Sequence, residues 1–217
     1  MRHESLRVAR LFCGLFLYAV GIVLTVHANL GVAPWDVFHQ GASRLLGITF
    51  GMTSILTSLA IIAAVALMKE NIGIGTLSNT IIVGAFVDVL MLGRMIPEAQ
   101  TFIPGLAMMI AGLFVIGLAT FFYIGAGYGS GPRDSLMVIM KRRTGMPVGF
   151  CRAIIEGAVL ICGWLLGGHA GIGTVIFVLG IGLAVQIVFK LFKFDVASVR
   201  QETFMETWAR MKTSRKA

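Results

Sequence analysis

Leu30-Gly-Val-Ala-Pro-Trp-Asp36 and Tyr128-Gly-Ser-Gly-Pro-Arg-Asp134 are the two stretches that decide how this chain folds. They carry Gly, Pro and Asp at the same places and stand ninety-eight residues apart. At that one offset, without a gap, Arg44, Gly47 and Gly51 meet Arg142, Gly145 and Gly149. Gly73-Ile-Gly-Thr76 meets Gly171-Ile-Gly-Thr174, and Gly14-Leu-Phe16 meets Gly112-Leu-Phe114. Over positions 11–93, 18 of 83 residues are identical to their counterparts. Apolar composition inflates such a count, but it does not put GxxPxD and GIGT at a single long offset. The sequence therefore reads as an internal duplication.

Composition says what kind of protein is duplicated. Of 217 residues, 57% are hydrophobic, 13% are charged and 27 are glycine, with a mean hydropathy of +0.90. Soluble domains carry about a quarter charged residues. Glycine is enriched where transmembrane helices pack closely. A cytosolic enzyme, a disordered chain and a disulfide scaffold are excluded, and a polytopic, all-α membrane protein is expected. The net charge of +8 does not point to nucleic acid, because the basic residues flank apolar runs rather than cluster on one soluble face. Cys13, Cys151 and Cys162 have neither metal nor redox spacing, and the four histidines form no zinc pattern, so neither a metal nor a cofactor is expected.

Six runs reach the ~17–25 residues that a bilayer requires: Leu11–His27, Gly51–Met68, Ile74–Gly93, Pro104–Ile124, Val148–Gly167 and Ile172–Leu191. The first follows a basic start and resembles a signal peptide, but no cleavage pattern follows it, so it is read as a retained helix. Pro34–Leu46 and Pro132–Thr144 look helical but are short and polar. With the N-terminus in the cytoplasm, six spans leave sixteen basic residues inside and two, Arg44 and Arg94, outside. An eight-span count, in which both short helices cross, satisfies the charge rule equally; length and polarity favour six. The expected organisation is a first membrane repeat at 1–95, a second at 104–193 and a basic cytoplasmic tail at 194–217. In the tail, Phe204, Met205, Trp208 and Met211 fit one helical face, either an amphipathic helix on the inner leaflet or a solvated end.

Each repeat is span, short helix, span, span. Three crossings are odd, so six spans put the second copy upside down relative to the first, a plan recurrent in secondary transporters. Proline suits a helix first turn, and aspartate there complements the helix dipole. Pro34 and Pro132 thus start the short helices, Asp36 and Asp134 lie in their first turns, and Gly31 and Gly129 let the approaching loops bend. Gly47 and Gly145 end them. The short helices are either re-entrant or interfacial. If re-entrant, their N-termini meet near the midplane and suit an anionic group, while the aspartates either cap their helices or bind a cation or proton.

The copies differ where their residues are polar. Trp35 faces Arg133 in the alignment, His39 faces Met137, Gln40 faces Val138, Asn79 faces Phe177 and Asp88 faces Gln186. A single asymmetric site would specialise in this way. Arg152 and Glu156, spaced i, i+4 where the first copy has Ser54 and Ser58, are either part of such a site or a mutually neutralising pair.

Two copies of span, GxxPxD, short helix and a following span resemble the YczE/YyaS/YitT type of bacterial integral membrane proteins, nearest to the YczE branch. The resemblance covers about residues 8–193 and rests on Leu30–Asp36, Gly47, Gly51, Tyr128–Asp134, Thr144-Gly145 and Gly149. It implies a bacterial inner-membrane protein and says little about substrate. YitT-type members often carry a soluble C-terminal domain, which is not expected in this sequence.

Two functions are weighed. The first is a transporter or channel for a small solute, bound between the repeats by Gly31, Pro34, Trp35, Asp36, His39, Gly129, Pro132, Arg133, Asp134, Arg152 and Glu156. The second is a non-transporting scaffold or accessory protein that holds a partner at its cytoplasmic face. No nucleophile–base set supports an enzyme. The expected partners are the lipid bilayer and a small solute, and the many small residues suit a homodimer; nucleic acid is not among them. A polar cavity lined by both aspartates favours transport, and a dry glycine-packed seam favours the scaffold.

Overall fold

The computed structural model describes residues 2–68, 73–129, 131–195, 199 and 202, with the side chains of 2–4, 74, 134, 135, 138 and 148 outside that description. The tail positions Phe204, Met205, Trp208 and Met211 also fall outside the described residues. The described residues form eight helices and no strand: α1 (Arg2–His27), α2 (Pro34–Leu46), α3 (Phe50–Leu67), α4 (74–92), α5 (Phe102–Gly125), α6 (Pro132–Thr144), α7 (Val148–Leu165) and α8 (Ile172–Leu191). Five of them, α1, α3, α4, α5 and α8, are long and apolar enough to cross a membrane. The sequence counted six; α7, 18 residues long, carries Arg152 and Glu156 near its start.

The two short helices form as their sequence dictates. Pro34 and Pro132 occupy the first turn of α2 and α6. Gly47 (φ +66) and Gly145 (φ +70) end them in the left-handed conformation, which a side chain disfavours. Their amides return to Ser43 O at 2.9 Å and Lys141 O at 2.8 Å, closing the last turn. α2 is buried at its start (Pro34, Trp35, Asp36 and Val37), whereas Leu45 and Leu46 at its end are exposed. α6 likewise ends in exposed Lys141, Arg142 and Arg143.

α1 and α5 run antiparallel along a seam of small residues. A methyl group on Gly14 would sit 2.7 Å from Tyr123 N, one on Gly21 2.5 Å from Ile116 Cγ1, and one on Gly112 2.6 Å from Thr25 Cγ2. Backbone approach this close is what drives helix association in lipid. Around the seam, Leu11, Leu15, Ile22 and Val23 of α1 pack with Val83, Val87 and Leu90 of α4. The outward faces remain apolar: Leu67, Ile103, Leu179 and Leu183 are all more than half exposed, as lipid contact requires.

The unwound stretches before α2 and α6 run through the protein and find partners in the opposite half. Gly173 N–H donates to Leu30 O at 2.6 Å, and Gly75 N–H donates to Tyr128 O at 2.7 Å. Donors and acceptors are each ninety-eight residues apart. Gly31 (φ +105) and Gly129 (φ +116) make the crossings; a methyl group on Gly31 would lie 2.5 Å from Gly171 N, and one on Gly129 2.8 Å from Gly73 Cα.

α2 lies against α7 on glycine. Methyl groups on Gly41, Gly163 and Gly168 would meet Gly163 O at 2.7 Å, Phe38 N at 2.4 Å and Val37 O at 2.0 Å. The corresponding contact of α6 with α3 uses side chains instead, with Ile139 beside Val65, Ile61 and Trp35. At the other end of α3, Asp88 accepts from Gly51 N–H at 2.7 Å and from the Thr49 hydroxyl. Its carboxylate therefore caps α3, at a position that the sequence singles out only as an exchange with Gln186.

Two outcomes are expected from thermal unfolding of the purified protein in detergent. Asp88→Ala leaves two donors at the start of α3 unsatisfied and destabilises by about 1–3 kcal/mol; Gln186→Ala, at the matching exposed position of α8, has no effect. Gly163→Ala overpacks the α2 seam and destabilises by about 1–3 kcal/mol. Gly157→Ala on the same helix, with open space around it, is neutral or stabilises by up to about 1 kcal/mol. Equal effects at 163 and 157 would remove the seam from the account.

Candidate solute cavity

Because the crossings fix both unwound loops centrally, the N-termini of α2 and α6 open into one internal cavity of about 140 Å³. Ala33, Pro34, Trp35 and Asp36 enter it from α2, and Gly131, Pro132, Arg133 and Met137 from α6. Arg152 and Glu156 come from α7, and Ser54 and Ser58 from α3. Tyr18 of α1, Tyr123 of α5 and Phe177 of α8 complete the wall, so every helix contributes. α4 presents Asn79, Thr80 and Val83, all within a single π-helical turn at Asn79–Val83. Such turns break the regular ladder and cluster at functional sites.

Of the residues expected from sequence, Pro34, Trp35, Asp36, Pro132, Arg133, Arg152 and Glu156 line the cavity. Gly31 and Gly129 stand behind it at the loop crossings. His39 lies one turn behind Asp36 and is fully buried. The side chain of Asp134 is outside the described residues. Tyr18, Thr80 and Tyr123 were not anticipated: nothing in a lone tyrosine or threonine within an apolar run separates a cavity wall from core.

The electrostatics are mixed. An α-helix leaves its first amides without intrahelical acceptors, and in α2 these are the amides of Trp35 and Asp36, since Pro34 has none. In α6 the Tyr123 hydroxyl accepts from Gly131 N–H at 2.9 Å. The Arg133 guanidinium lies 4.9 Å from the centre of the Trp35 ring, a cation–π contact; among the described residues it has no carboxylate partner. Arg152 Nε donates to Glu156 Oε1 at 2.8 Å, so these two are paired and also line the cavity.

Asp36 is 3% exposed. Its Oδ1 lies 3.4 Å from His39 Nδ1 in a geometry that makes no hydrogen bond, and Oδ1 and both His39 ring nitrogens have no hydrogen-bond partner among the described residues. Of the two readings open for Asp36, capping of α2 has no hydrogen bond to support it. Among the described residues no three His, Cys, Asp or Glu side chains form a metal-holding group.

Comparison with known proteins places these features in a family. The "Uncharacterized membrane protein YczE" of Bacillus subtilis (strain 168) is 33% identical over 177 residues, covering 81% of each chain. An "Uncharacterized protein" of Haemophilus influenzae is 31% identical over 179 residues, 82% of this chain and 81% of its own. The "Uncharacterized protein YyaS" of Bacillus subtilis is 28% identical over 168 residues, 76% of this chain and 83% of its own. No solved structure gives a significant match. Together with five membrane-length helices, a match over residues 5–190 establishes that the chain is a multi-pass membrane protein belonging to the family of unknown function DUF6198.

Proposed function

We propose that this protein is a small-solute transporter or channel of the bacterial inner membrane, built from two inverted repeats, with its site in the cavity between the short helices. One observation carries the reading: the cavity wall is two-fold in position and asymmetric in chemistry. Eight pairs of lining residues stand ninety-eight positions apart. Pro34/Pro132 and Val83/Ile181 are equivalent in kind, while Trp35/Arg133, Ser54/Arg152, Ser58/Glu156 and Asn79/Phe177 are not. Trp35 even touches its own counterpart Arg133, which two-fold related residues do only beside the axis. A duplicated frame that serves packing alone has no need to diverge at its axis.

Topology supports the inversion. α1 and α5 head the two copies, and their antiparallel packing requires an even number of crossings between them, which six spans supply with α3 and α4 and eight, with α2 also crossing, do not. In this reading α7 is the sixth span and α2 and α6 are re-entrant. Both termini lie in the cytoplasm, the chain is not an enzyme, and its partners are lipid and a small solute, with a homodimer compatible with the small-residue faces. The scaffold reading draws on a different observation, the dry glycine seam between α2 and α7, together with the exposed Lys141, Arg142 and Arg143; it predicts no solute binding at all.

Two experiments test the proposal. Single cysteines at positions 44 and 142, in a background lacking Cys13, Cys151 and Cys162, are expected to label from opposite sides of sealed vesicles; labelling from the same side would sink the inverted topology. A thermal-shift screen of small polar solutes on purified protein is expected to find a stabiliser, worth about 2.7 kcal/mol at a hundredfold excess over Kd. Arg133→Gln and Glu156→Gln should each weaken that effect at least tenfold while the unliganded melting point holds. A library without a stabiliser, or one indifferent to both substitutions, favours the scaffold.

A further inference from the structure

Among the described residues around the cavity, Asp36 and His39 are a buried pair whose polar atoms their neighbours do not satisfy. Both are almost wholly buried, at 3% and 0% exposure. Their nearest polar atoms, Asp36 Oδ1 and His39 Nδ1, are 3.4 Å apart, and these two and His39 Nε2 lack hydrogen-bond partners among the described residues. Apart from His39, no described cation lies within ion-pair distance of the Asp36 carboxylate. Of the other charged groups around the same cavity, Arg152 is paired with Glu156 on α7, while Arg133 of α6 stacks on the Trp35 ring and keeps its positive charge, beyond ion-pair distance of Asp36. The remaining helices offer it only uncharged groups, among them Tyr18, Ser54, Asn79 and Tyr123.

A carboxylate beside a neutral imidazole is a buried negative charge with no described cation in contact, and a charge held that way in an apolar interior costs several kcal/mol. One added proton removes that charge, on whichever of the two residues it resides, and turns the contact into a hydrogen bond. Ionisable residues inside a membrane bundle are rare and mark ion pathways, proton relays and ligand sites. We propose that Asp36 and His39 form a proton-binding site that holds one shared proton and exchanges it through the cavity. Asp36 lines the cavity and is the point of access. His39 sits behind it, edge-on to Phe50 at 5.7 Å between ring centres, screened from water. The second copy has methionine at the matching position, Met137, so the pair exists once. That the proton drives solute movement rests on the transporter reading above; the proton site does not.

Infrared and ¹⁵N-histidine NMR spectra of the full-length protein in lipid nanodiscs test this without any solute. At neutral pH one proton is expected on the pair. It appears either as a deuterium-sensitive carboxylic-acid carbonyl band that Asp36→Asn abolishes, or as an imidazolium signal that His39→Gln abolishes. The same signal survives in Glu156→Gln. Should Asp36→Asn fail to fold, His39→Gln must still shift the Asp36 carbonyl band. A free carboxylate and a neutral imidazole at neutral pH, unchanged by either substitution, would overturn the site. A proton signal in a protein that no solute stabilises would leave the site standing and remove the transporter.

Discussion

Non-helical backbone within an apolar interior must find hydrogen-bond partners, because lipid supplies none. This constraint organises the whole molecule. The chain unwinds before α2 and again before α6, and each unwound carbonyl, at Leu30 and Tyr128, accepts from a glycine amide at the start of a helix in the other half. Glycine is required on both sides of each crossing, since a side chain at Gly31, Gly73, Gly129 or Gly171 would strike backbone. Once these two crossings form, α2 and α6 have no freedom over where they begin, and both begin at the cavity.

The two halves nevertheless do not hold their short helices alike. α2 lies on backbone through Gly41, Gly163 and Gly168, a contact without adjustable side chains. α6 lies on Ile139, Val65 and Ile61, whose rotamers can repack. The support is thus backbone against backbone beside Asp36 and side chain against side chain beside Arg133. Charge follows the same division, with the buried, unpartnered carboxylate on the backbone-packed side and the basic groups Arg133 and Arg152 toward the other.

Much of this was legible in the residues. Gly47 and Gly145 announced the ends of the short helices, and Pro34 and Pro132 their starts, because each obeys a local rule that no tertiary contact overrides. The offset of ninety-eight identified Trp35/Arg133, Asn79/Phe177 and the Ser54/Ser58 to Arg152/Glu156 exchange as places where the copies part, and all of them reach the cavity. Other features were hidden. Asp88 reads as a surface charge until α3 is folded against α4, and only then do Thr49 and Gly51 come within reach of it. Asp36 reads as a helix cap, since first-turn aspartates usually are; its turn toward His39 depends on where Phe50 closes the space behind. Tyr18 and Tyr123 carry no periodic mark that separates them from the surrounding core.

The π-helical turn at Asn79–Val83 has a consequence for phase. A π turn accommodates one extra residue without lengthening the helix by a full step, so the segment after it is rotated by about 100° relative to an unbroken helix. α8, the counterpart of α4, has no such turn. Positions ninety-eight residues apart therefore face different surroundings: Asp88 meets the start of α3, while Gln186 looks outward. The offset of ninety-eight holds at the loop crossings, and beyond the cavity residues at that same offset still turn toward different neighbours.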